Sequence, residues 1–290
     1  MTNDLTVAAI GLPNSGKTTY LAALWHLLNA ADKDTSFSLT KLPQKELLYL
    51  NEITDRWRFG KVQVRTLTGD IKSVTLDLQA KDGKQLRMLF PDISGEEFNG
   101  IWKSHQIEEQ VHQILSSENI ILFIHANKIN HPRWIVEQKE LAKKMGIEDD
   151  QQNASKEEPL VWEPVHSPTQ VQLVGVLKSL QFDELNIGKR RLVVLFSAWD
   201  KVMNQAVTPE KFLQTRLPFL SQYLENQVNL DYKVFGVSAQ GGEYDLGDLE
   251  TPPIKAATLV ALDNPSDRIK FYQGKVESSD LTFPLTWFIQ

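Results

Sequence analysis

Short apolar runs alternate with stretches of helical spacing along most of this chain. Apolar alternation or continuous apolar runs predict strands at 5–10, 73–80, 86–90, 120–125, 191–197 and 232–237. Apolar residues three or four positions apart predict helices at 17–30, 43–58, 101–117, 132–145, 168–183 and 209–228. Strands separated by helices favour a parallel sheet with helices on both faces.

The predicted fold is therefore α/β: a three-layer α/β/α arrangement around a mostly parallel, six-stranded sheet. One strand of that sheet is expected to be antiparallel, because Lys81-Asp82-Gly83-Lys84 separates two alternating segments and predicts a hairpin over 73–90.

Two stretches interrupt the alternation and are interpreted as insertions into one domain covering residues 1–290. The first, at about 31–72, contains apolar residues at 47, 50, 53 and 57, a spacing that predicts an inserted helix. The second, at about 128–167, combines a predicted helix with an acidic, polar and proline-marked excursion.

Composition excludes several classes of function. The 290 residues include no cysteine, which rules out disulfides, thiol catalysis and thiolate metal sites. The 31 basic and 37 acidic residues give a net charge of −6, which argues against bulk binding to nucleic acid. The start of the chain lacks the basic region of a signal peptide, and no apolar run approaches the roughly 18–20 residues that span a bilayer. We expect a soluble, cytoplasmic protein without a membrane span.

The segment after the first predicted strand has the pattern of a phosphate-binding loop. Residues 11–18 read Gly-Leu-Pro-Asn-Ser-Gly-Lys-Thr, which is G-x-x-x-x-G-K-[ST] between a strand and a helix. The two glycines permit a turn whose N–H groups surround phosphate oxygens. Lys17 is expected to bind the β- and γ-phosphates and to act in catalysis, and the Thr18 hydroxyl to ligate Mg²⁺. The predicted phosphate-binding residues here are Asn14, Ser15, Gly16, Lys17, Thr18 and Thr19.

A second acidic oxygen for the metal ion is predicted at the end of a neighbouring strand. Asp92 ends the apolar run that begins at Leu86, and Gly95 follows three residues later. Asp92 is placed to reach Mg²⁺, and the backbone N–H of Gly95 to reach a γ-phosphate. A helix cap or turn is the alternative role for such an acid.

Two further strand ends carry residues suited to binding a purine base. Ser197-Ala198-Trp199-Asp200-Lys201 follows one strand, and Ser238-Ala239-Gln240 follows the next. These two segments resemble the base-binding motifs of GTPases, in which the aspartate accepts two hydrogen bonds from guanine and a backbone N–H of the second segment contacts guanine O6. Either Trp199 or the Lys201 stem is a candidate cover for the base, and a loop cap is the alternative role of Asp200. The predicted guanine-binding residues are Ser197, Trp199, Asp200, Lys201, Ser238, Ala239 and Gln240.

Together these motifs resemble those of Ras-like P-loop GTPases of the TRAFAC class, and more narrowly the bacterial double-GTPase family of conflict and mobile-element systems. The narrower resemblance lies in Gly-Leu-Pro-Asn-Ser-Gly-Lys-Thr-Thr-Tyr-Leu-Ala-Ala-Leu-Trp, Trp57-x-x-Gly60 and Ser-Ala-Trp-Asp, and extends to Phe283-Pro-Leu-Thr-Trp287. The resemblance implies a Ras-like G domain that binds GTP or GDP with Mg²⁺. It also implies a role in bacterial defence or regulation and a protein partner, either a second GTPase or an effector.

The resemblance further suggests which residues complete the reaction site. A threonine that closes over Mg²⁺ is either Thr66, which fits the family pattern, or Thr68, which lies three residues after Arg65. Arg65 is then either a catalytic arginine that stabilises the transferring phosphoryl group or a solvated side chain. Glu96 stands where related enzymes carry a water-orienting glutamine. An ionised carboxylate there repels the γ-phosphate, so slow intrinsic hydrolysis is expected unless Glu96 is merely solvated.

Three functions are compatible with these motifs. The favoured hypothesis is a GTP-hydrolysing molecular switch in which residues 61–72 and 93–104 respond to the γ-phosphate. The second is an ATPase or nucleotide kinase on the same fold, which the absence of an arginine-rich lid disfavours. The third is a non-catalytic scaffold that binds nucleotide permanently, which Glu96 and a base motif with Ser197 in place of the usual asparagine keep open.

Overall fold

One mixed sheet runs through the computed structural model, which describes residues 5–41, 46–63, 73–91, 109–132, 166–181, 185–205 and 207–290. Its nine strands are β1 (Leu5–Gly11), β2 (Phe37–Leu39), β3 (Ser73–Ala80), β4 (Gln85–Pro91), β5 (Asn119–His125), β6 (Arg190–Ser197), β7 (Leu230–Ser238), β8 (Lys270–Gln273) and β9 (Val276–Ser278). Their order across the sheet is β2-β3-β4-β1-β5-β6-β7-β8-β9.

The sheet differs from the predicted six-stranded, mostly parallel layout. Only the central strands β4, β1, β5, β6 and β7 pair in parallel. Both flanks are antiparallel, with β2 and β3 beside β4 and with β8 and β9 beside β7. The hairpin over 73–90 is confirmed. The three missed strands have only three or four residues each, too few to show a period of two in the sequence.

The described helices largely follow the predicted positions. They are α1 (Lys17–Ala30), α2 (Leu47–Arg58), α3 (Glu109–Leu115), α4 (Thr169–Ser179), α5 (Pro209–Arg216), α6 (Pro218–Glu225) and α7 (Ala257–Val260). The prediction of one helix over 209–228 is wrong. Pro218 has no N–H and disfavours helical angles at Leu217, whose φ of −133° and ψ of 55° separate α5 from α6. Of the helix predicted at 132–145, residues 133–145 lie outside the described ranges.

The three-layer arrangement is confirmed by two hydrophobic clusters, one on each face of the sheet. Alternate residues of β1 contribute to opposite clusters, Val7 and Ala9 to one and Ala8 and Ile10 to the other. The first cluster includes buried residues of α1, α2 and the 3-10 helix Phe283–Ile289. The second includes buried residues of α4, α5 and α6. The predicted inserted helix, α2, is thus part of the fold, while the assignment of residues 1–290 to a single domain stays a prediction.

The carboxyl ends of the parallel strands bring the sequence motifs to one edge of the sheet. Gly11 at the end of β1 pairs with Phe123 of β5, and His125 at the end of β5 pairs with Ser197 at the end of β6. In open α/β sheets, ligands bind at this edge. Among the helices that the structure describes, none combines the length and apolar character that crossing a bilayer requires.

Candidate functional site: a phosphate loop beside a carboxylate

The loop between β1 and α1 has the backbone geometry that an anion cradle requires. The N–H of Ser15 donates to the carbonyl of Leu12 at 3.1 Å, which closes a tight turn. Asn14 and Gly16 both have positive φ, at 60° and 92°. Backbone in this region points successive N–H groups toward one side, as in other anion-binding loops.

The packing around this loop leaves no room for a side chain at either glycine. A Cβ at Gly11 would lie 2.5 Å from the carbonyl oxygen of Phe123. A Cβ at Gly16 would lie 2.6 Å from the Oγ of Ser197. The glycines are therefore required by close neighbours on β5 and β6 as well as by the turn itself.

Helix α1 begins at this loop without a side-chain cap. Its N-cap residue is Gly16, which makes no side-chain cap hydrogen bond, and the first turn contains no acidic residue. By contrast, α5 is capped by the Thr208 side chain, which accepts from the N–H of Lys211. The first N–H groups of a helix have no acceptors within the helix, so the start of α1 is suited to bind an anion.

The ammonium group of Lys17 lies inside the loop. Its Nζ donates to the carbonyl of Gly11 at 2.7 Å and lies 3.4 Å from the Oγ of Ser15. The lysine is therefore held over the space that the loop encloses, where a phosphate oxygen can replace the carbonyl as acceptor.

Ser197 joins the phosphate loop to the next predicted motif. Its buried hydroxyl donates to the carbonyl of Ser15 at 2.7 Å. This contact crosses 182 positions of sequence and connects the end of β6 to the turn before α1. The hydroxyl of Ser197 is therefore hydrogen-bonded to the phosphate loop.

Trp199, one of the two predicted candidates for covering the base, is buried in the core. Its side chain is 2% exposed and belongs to the cluster on the α4 to α6 face. The ring packs edge-on against Phe212 with centroids 5.3 Å apart, and a Cβ at Gly236 would approach it to 2.7 Å. Apolar burial thus decides the position of this tryptophan, and Lys201 remains the candidate cover.

Asp200 and Ser238, from adjacent strand ends, form a hydrogen-bonded pair. The Ser238 hydroxyl donates to Oδ1 of Asp200 at 2.7 Å, which fixes the direction of the carboxylate. The ammonium of Lys201 lies 3.9 Å from Oδ2 of Asp200 and 3.6 Å from Oε1 of Glu243. The Asp200 side chain is 18% exposed, so it is oriented by the protein and still reachable.

The two residues after Ser238 are buried in different ways. The carbonyl of Ala239 accepts a hydrogen bond from Nε1 of Trp57 at 2.8 Å. The side chain of Gln240 is 5% exposed, and neither its oxygen nor its nitrogen has a hydrogen-bond partner among the residues that the structure describes. A buried amide without partners is unusual and is consistent with a nearby polar ligand.

Two residues near the site were not among the predicted site residues. Tyr244 donates from its hydroxyl to Oγ1 of Thr19 at 2.8 Å, and burial raises the pKa of Tyr244 well above its ordinary value. Trp57 on α2 reaches Ala239 across 182 positions. Neither contact follows from local spacing, since each depends on how distant segments pack.

The remaining predicted residues fall outside the described ranges. These are Arg65, Thr66, Thr68, Asp92, Gly95 and Glu96. Of the predicted metal ligands, only Thr18 is described. Within the described ranges, no cluster of three or more His, Cys, Asp or Glu side chains is suited to hold a metal ion.

Comparison with known proteins identifies the family to which the chain belongs. The family model described as Double-GTPase 1 matches residues 8–288. No curated protein matches the chain.

Several solved structures resemble the fold weakly. The cytosolic domain of the T. maritima FeoB iron transporter in a GDP form is 13% identical, with a TM-score of 0.34 over 83% of this chain and 59% of that one. The signal recognition particle receptor SRb-GTP/SRX complex from Chaetomium thermophilum is 14% identical, with a TM-score of 0.36 over 90% and 97%. The small COPII coat GTPase SAR1 from Encephalitozoon cuniculi with GDP is 12% identical, with a TM-score of 0.33 over 92% and 77%. This chain therefore spans under two thirds of the FeoB domain, and likenesses of this strength carry no functional argument.

Proposed function

Because the chain belongs to the Double-GTPase 1 family, we propose that it is a Mg²⁺-dependent switch that binds guanine nucleotides and hydrolyses GTP. The observation that carries the proposal is the hydrogen bond from Ser197 to Ser15. That bond joins the phosphate loop to the strand end bearing Asp200, so that one ligand with a polyphosphate and a purine can span both.

The phosphate loop binds the polyphosphate through its backbone and Lys17. In this proposal the N–H groups at the start of α1 face the negative oxygens, which the helix dipole favours there. On binding, the Lys17 ammonium exchanges the Gly11 carbonyl for phosphate oxygens. A hydrogen bond from the ammonium to a charged phosphate oxygen is stronger than one to a neutral carbonyl, so phosphate replaces the Gly11 carbonyl as the acceptor.

Asp200 reads the base. Its carboxylate accepts from the N1–H and the exocyclic amine of guanine, while Ser238 keeps it in the required direction. Adenine presents an acceptor at N1 and no amine at C2, so it leaves a carboxylate here unpaired. The stem of Lys201 lies along the base, and its charge stays near Glu243.

Thr18 and Asp92 would hold Mg²⁺, with Thr66 or Thr68 as a further ligand when the γ-phosphate is present. The fit rests on donor chemistry, since Mg²⁺ prefers hydroxyl, carboxylate and phosphate oxygens. When bound, the ion neutralises charge across the β- and γ-phosphates. Thr18 sits in the first turn of α1, one residue after Lys17, which is the place such a ligand must occupy.

Arg65 and Glu96 are the residues that we assign to the hydrolytic step. Arg65 stabilises negative charge on the transferring phosphoryl group, and Glu96 orients the attacking water. Since an ionised Glu96 also repels the γ-phosphate, intrinsic hydrolysis is slow and a protein partner, either a second GTPase or an effector, accelerates it. In this proposal the chain works in the cytoplasm as part of a bacterial defence or regulatory system.

Thermal unfolding with GTP, GDP, ATP and ADP, each with and without Mg²⁺, tests base identity and metal dependence together. A ligand that binds only the folded state at about 100 times its Kd adds about 2.7 kcal/mol of stability. We expect this gain for GTP and GDP with Mg²⁺, a much smaller one for ATP and ADP, and loss of the difference in Asp200→Ala.

Asp77→Ala is the matched control, because Asp77 on β3 is also a partly exposed carboxylate with a hydrogen-bonded partner, Arg87 at 2.7 Å. It should keep the full guanine preference. Equal stabilisation by ATP and GTP would refute the assignment of the base.

A further inference from the structure

Helix α2, from the first insertion, reaches the segment proposed to read the base. The Trp57 side chain is fully buried, and its Nε1–H donates to the Ala239 carbonyl at 2.8 Å. Ala239 directly follows Ser238, which orients Asp200. The indole therefore ends one residue away from the pair that contacts the base in the proposed function.

The hydrogen bond from Trp57 to the Ala239 carbonyl orients the whole Ala239–Gln240 peptide group. A trans peptide is planar, so its C=O and N–H point in opposite directions. The Ala239 carbonyl shares its peptide plane with the N–H of Gln240. Trp57 therefore sets the direction of the Gln240 N–H, beside a Gln240 side chain that is buried and has no partner among the described residues.

Trp57 is itself held in place by a buried cation. The guanidinium of Arg268 lies 3.9 Å from the centre of the indole ring and donates to the Trp57 carbonyl. Burial lowers the pKa of Arg268 to about 10, which leaves it charged at neutral pH. A desolvated cation over an indole face is a favourable contact, so the ring has one defined orientation.

A second set of contacts joins the end of α2 to the loop that follows Gln240. The N–H of Asp245 donates to the carbonyl of Gly60 at 2.8 Å, and the N–H of Val62 donates to the carbonyl of Asp245 at 3.0 Å. The Lys61 side chain is fully buried, and its ammonium donates to the Thr251 carbonyl at 2.6 Å. The two segments are thus joined at further points beyond the Trp57 contact, all of them later in the chain than Trp57 and Ala239.

We infer that Trp57 is a positioning residue for base selectivity: it orients the Ala239–Gln240 peptide so that its N–H meets the carbonyl oxygen of guanine. The inference rests on the proposed function and deepens it by adding the inserted helix to the base site. Adenine carries an amine where guanine carries that oxygen, so a fixed N–H there favours guanine alone.

The test is Trp57→Phe in the 290-residue chain freed of nucleotide, with GDP and ADP affinities measured by calorimetry in the presence of Mg²⁺. Phenylalanine keeps an aromatic ring and removes the donor. We expect GDP to bind about tenfold more weakly, as for loss of one hydrogen bond to a ligand, and ADP affinity to stay unchanged. A merely structural role would weaken both nucleotides together.

Trp25→Phe is the matched control. Trp25 on α1 is 3% exposed, and its Nε1–H donates to Oδ1 of Asn51 on α2 at 3.2 Å. It should leave the ratio of GDP to ADP affinity unchanged. If Trp57→Phe also leaves that ratio unchanged, the inference is wrong while the proposed function stands. If the unmodified chain shows no preference for GDP, the proposed function itself has failed.

Hydrogen exchange on the unmodified chain provides a second readout that does not depend on the variant's folding. GDP should slow amide exchange in 47–63 and in 239–256, whereas inorganic pyrophosphate, which occupies only the phosphate loop, should leave both segments unchanged. Slowing in 239–256 without slowing in 47–63 would overturn the inference.

Discussion

The hydroxyl of Ser197 donates to the carbonyl of Ser15 at 2.7 Å, and through this bond the end of β6 holds the phosphate loop in its turn. Related motifs usually carry an asparagine at this position, and here the shorter serine makes the contact. The close approach of Gly16 to the same side chain explains why a small residue fits.

Removing this hydroxyl should loosen the loop. Ser197→Ala leaves the buried Ser15 carbonyl without its partner, which costs about 1–3 kcal/mol of folding free energy. We expect a lower midpoint of chemical unfolding and faster GDP dissociation. Ser179→Ala is the control, since Ser179 is also buried and donates to a carbonyl, that of Gly175 at 3.0 Å, inside α4. If both variants release GDP at the same rate as the unmodified chain, Ser197 does not support the loop.

The hydroxyl of Ser238 should matter for selectivity more than for stability. Ser238→Ala frees the Asp200 carboxylate to rotate, so we expect weaker GDP binding and a reduced preference for GDP over ADP, measured by competition with a fluorescent guanine nucleotide. Ser221→Ala is the matched control, because Ser221 is 4% exposed and donates to Oε1 of Glu225 at 3.0 Å on α6. Unaltered preference in Ser238→Ala would show that Asp200 is oriented by other contacts.

Alanine substitutions at two glycines with nearly equal φ distinguish the cost of backbone strain from the cost of a steric clash. Gly16 has φ of 92° and Gly83 has φ of 90°, but only at Gly16 would a Cβ meet another residue. Gly83→Ala should cost only the left-handed strain, about 1–2 kcal/mol. Gly16→Ala should cost more, because Ser197 must move, and should abolish Mg²⁺-GDP binding. Equal losses of stability in the two variants, from thermal unfolding, would contradict the packing described for the loop.

Folding stability should fall below neutral pH because of His125 at the end of β5. Burial lowers its pKa from the ordinary 6.5 to about 4, and the charge of Lys128 contributes in the same direction. Above pH 6.5 the ring is neutral in both the folded and the unfolded chain, so protonation of His125 takes nothing from the free energy of unfolding. As the pH falls from 6.5 to 4, the unfolded chain binds a proton at this histidine before the folded chain does, and the free energy of unfolding decreases.

The size of this effect is bounded by the shift. At about 1.4 kcal/mol per pKa unit, a pKa lowered from 6.5 to about 4 corresponds to at most about 3.5 kcal/mol, and to less because the ring is partly exposed. His125→Asn should flatten the dependence of unfolding free energy on pH in this window, and Lys128→Met should reduce its slope. A His125→Asn profile parallel to that of the unmodified chain would contradict the assignment.

Local patterns were enough to predict the elements that hold the phosphates. The strand ending at Gly11, the turn and the helix beginning at Lys17 are adjacent in sequence, and their backbone requirements are met by the residues themselves. The five parallel strands were long enough to show their apolar pattern. The flanking strands β2, β8 and β9 were not, because three or four residues gain their hydrogen bonds only from a neighbouring strand that is already in place.

What the sequence by itself determined is thus the chemistry at each strand end: a glycine turn with Lys17, an acid at Asp200 and a hydroxyl at Ser238. Tertiary structure alone decided which of these groups meet and which are buried. It placed Trp199 in the core, because a large apolar ring gains more from burial than from covering a ligand, and it brought Trp57 to Ala239. Such contacts join segments more than a hundred residues apart, so they arise from the packing of the whole sheet and its helices, which no local pattern encodes.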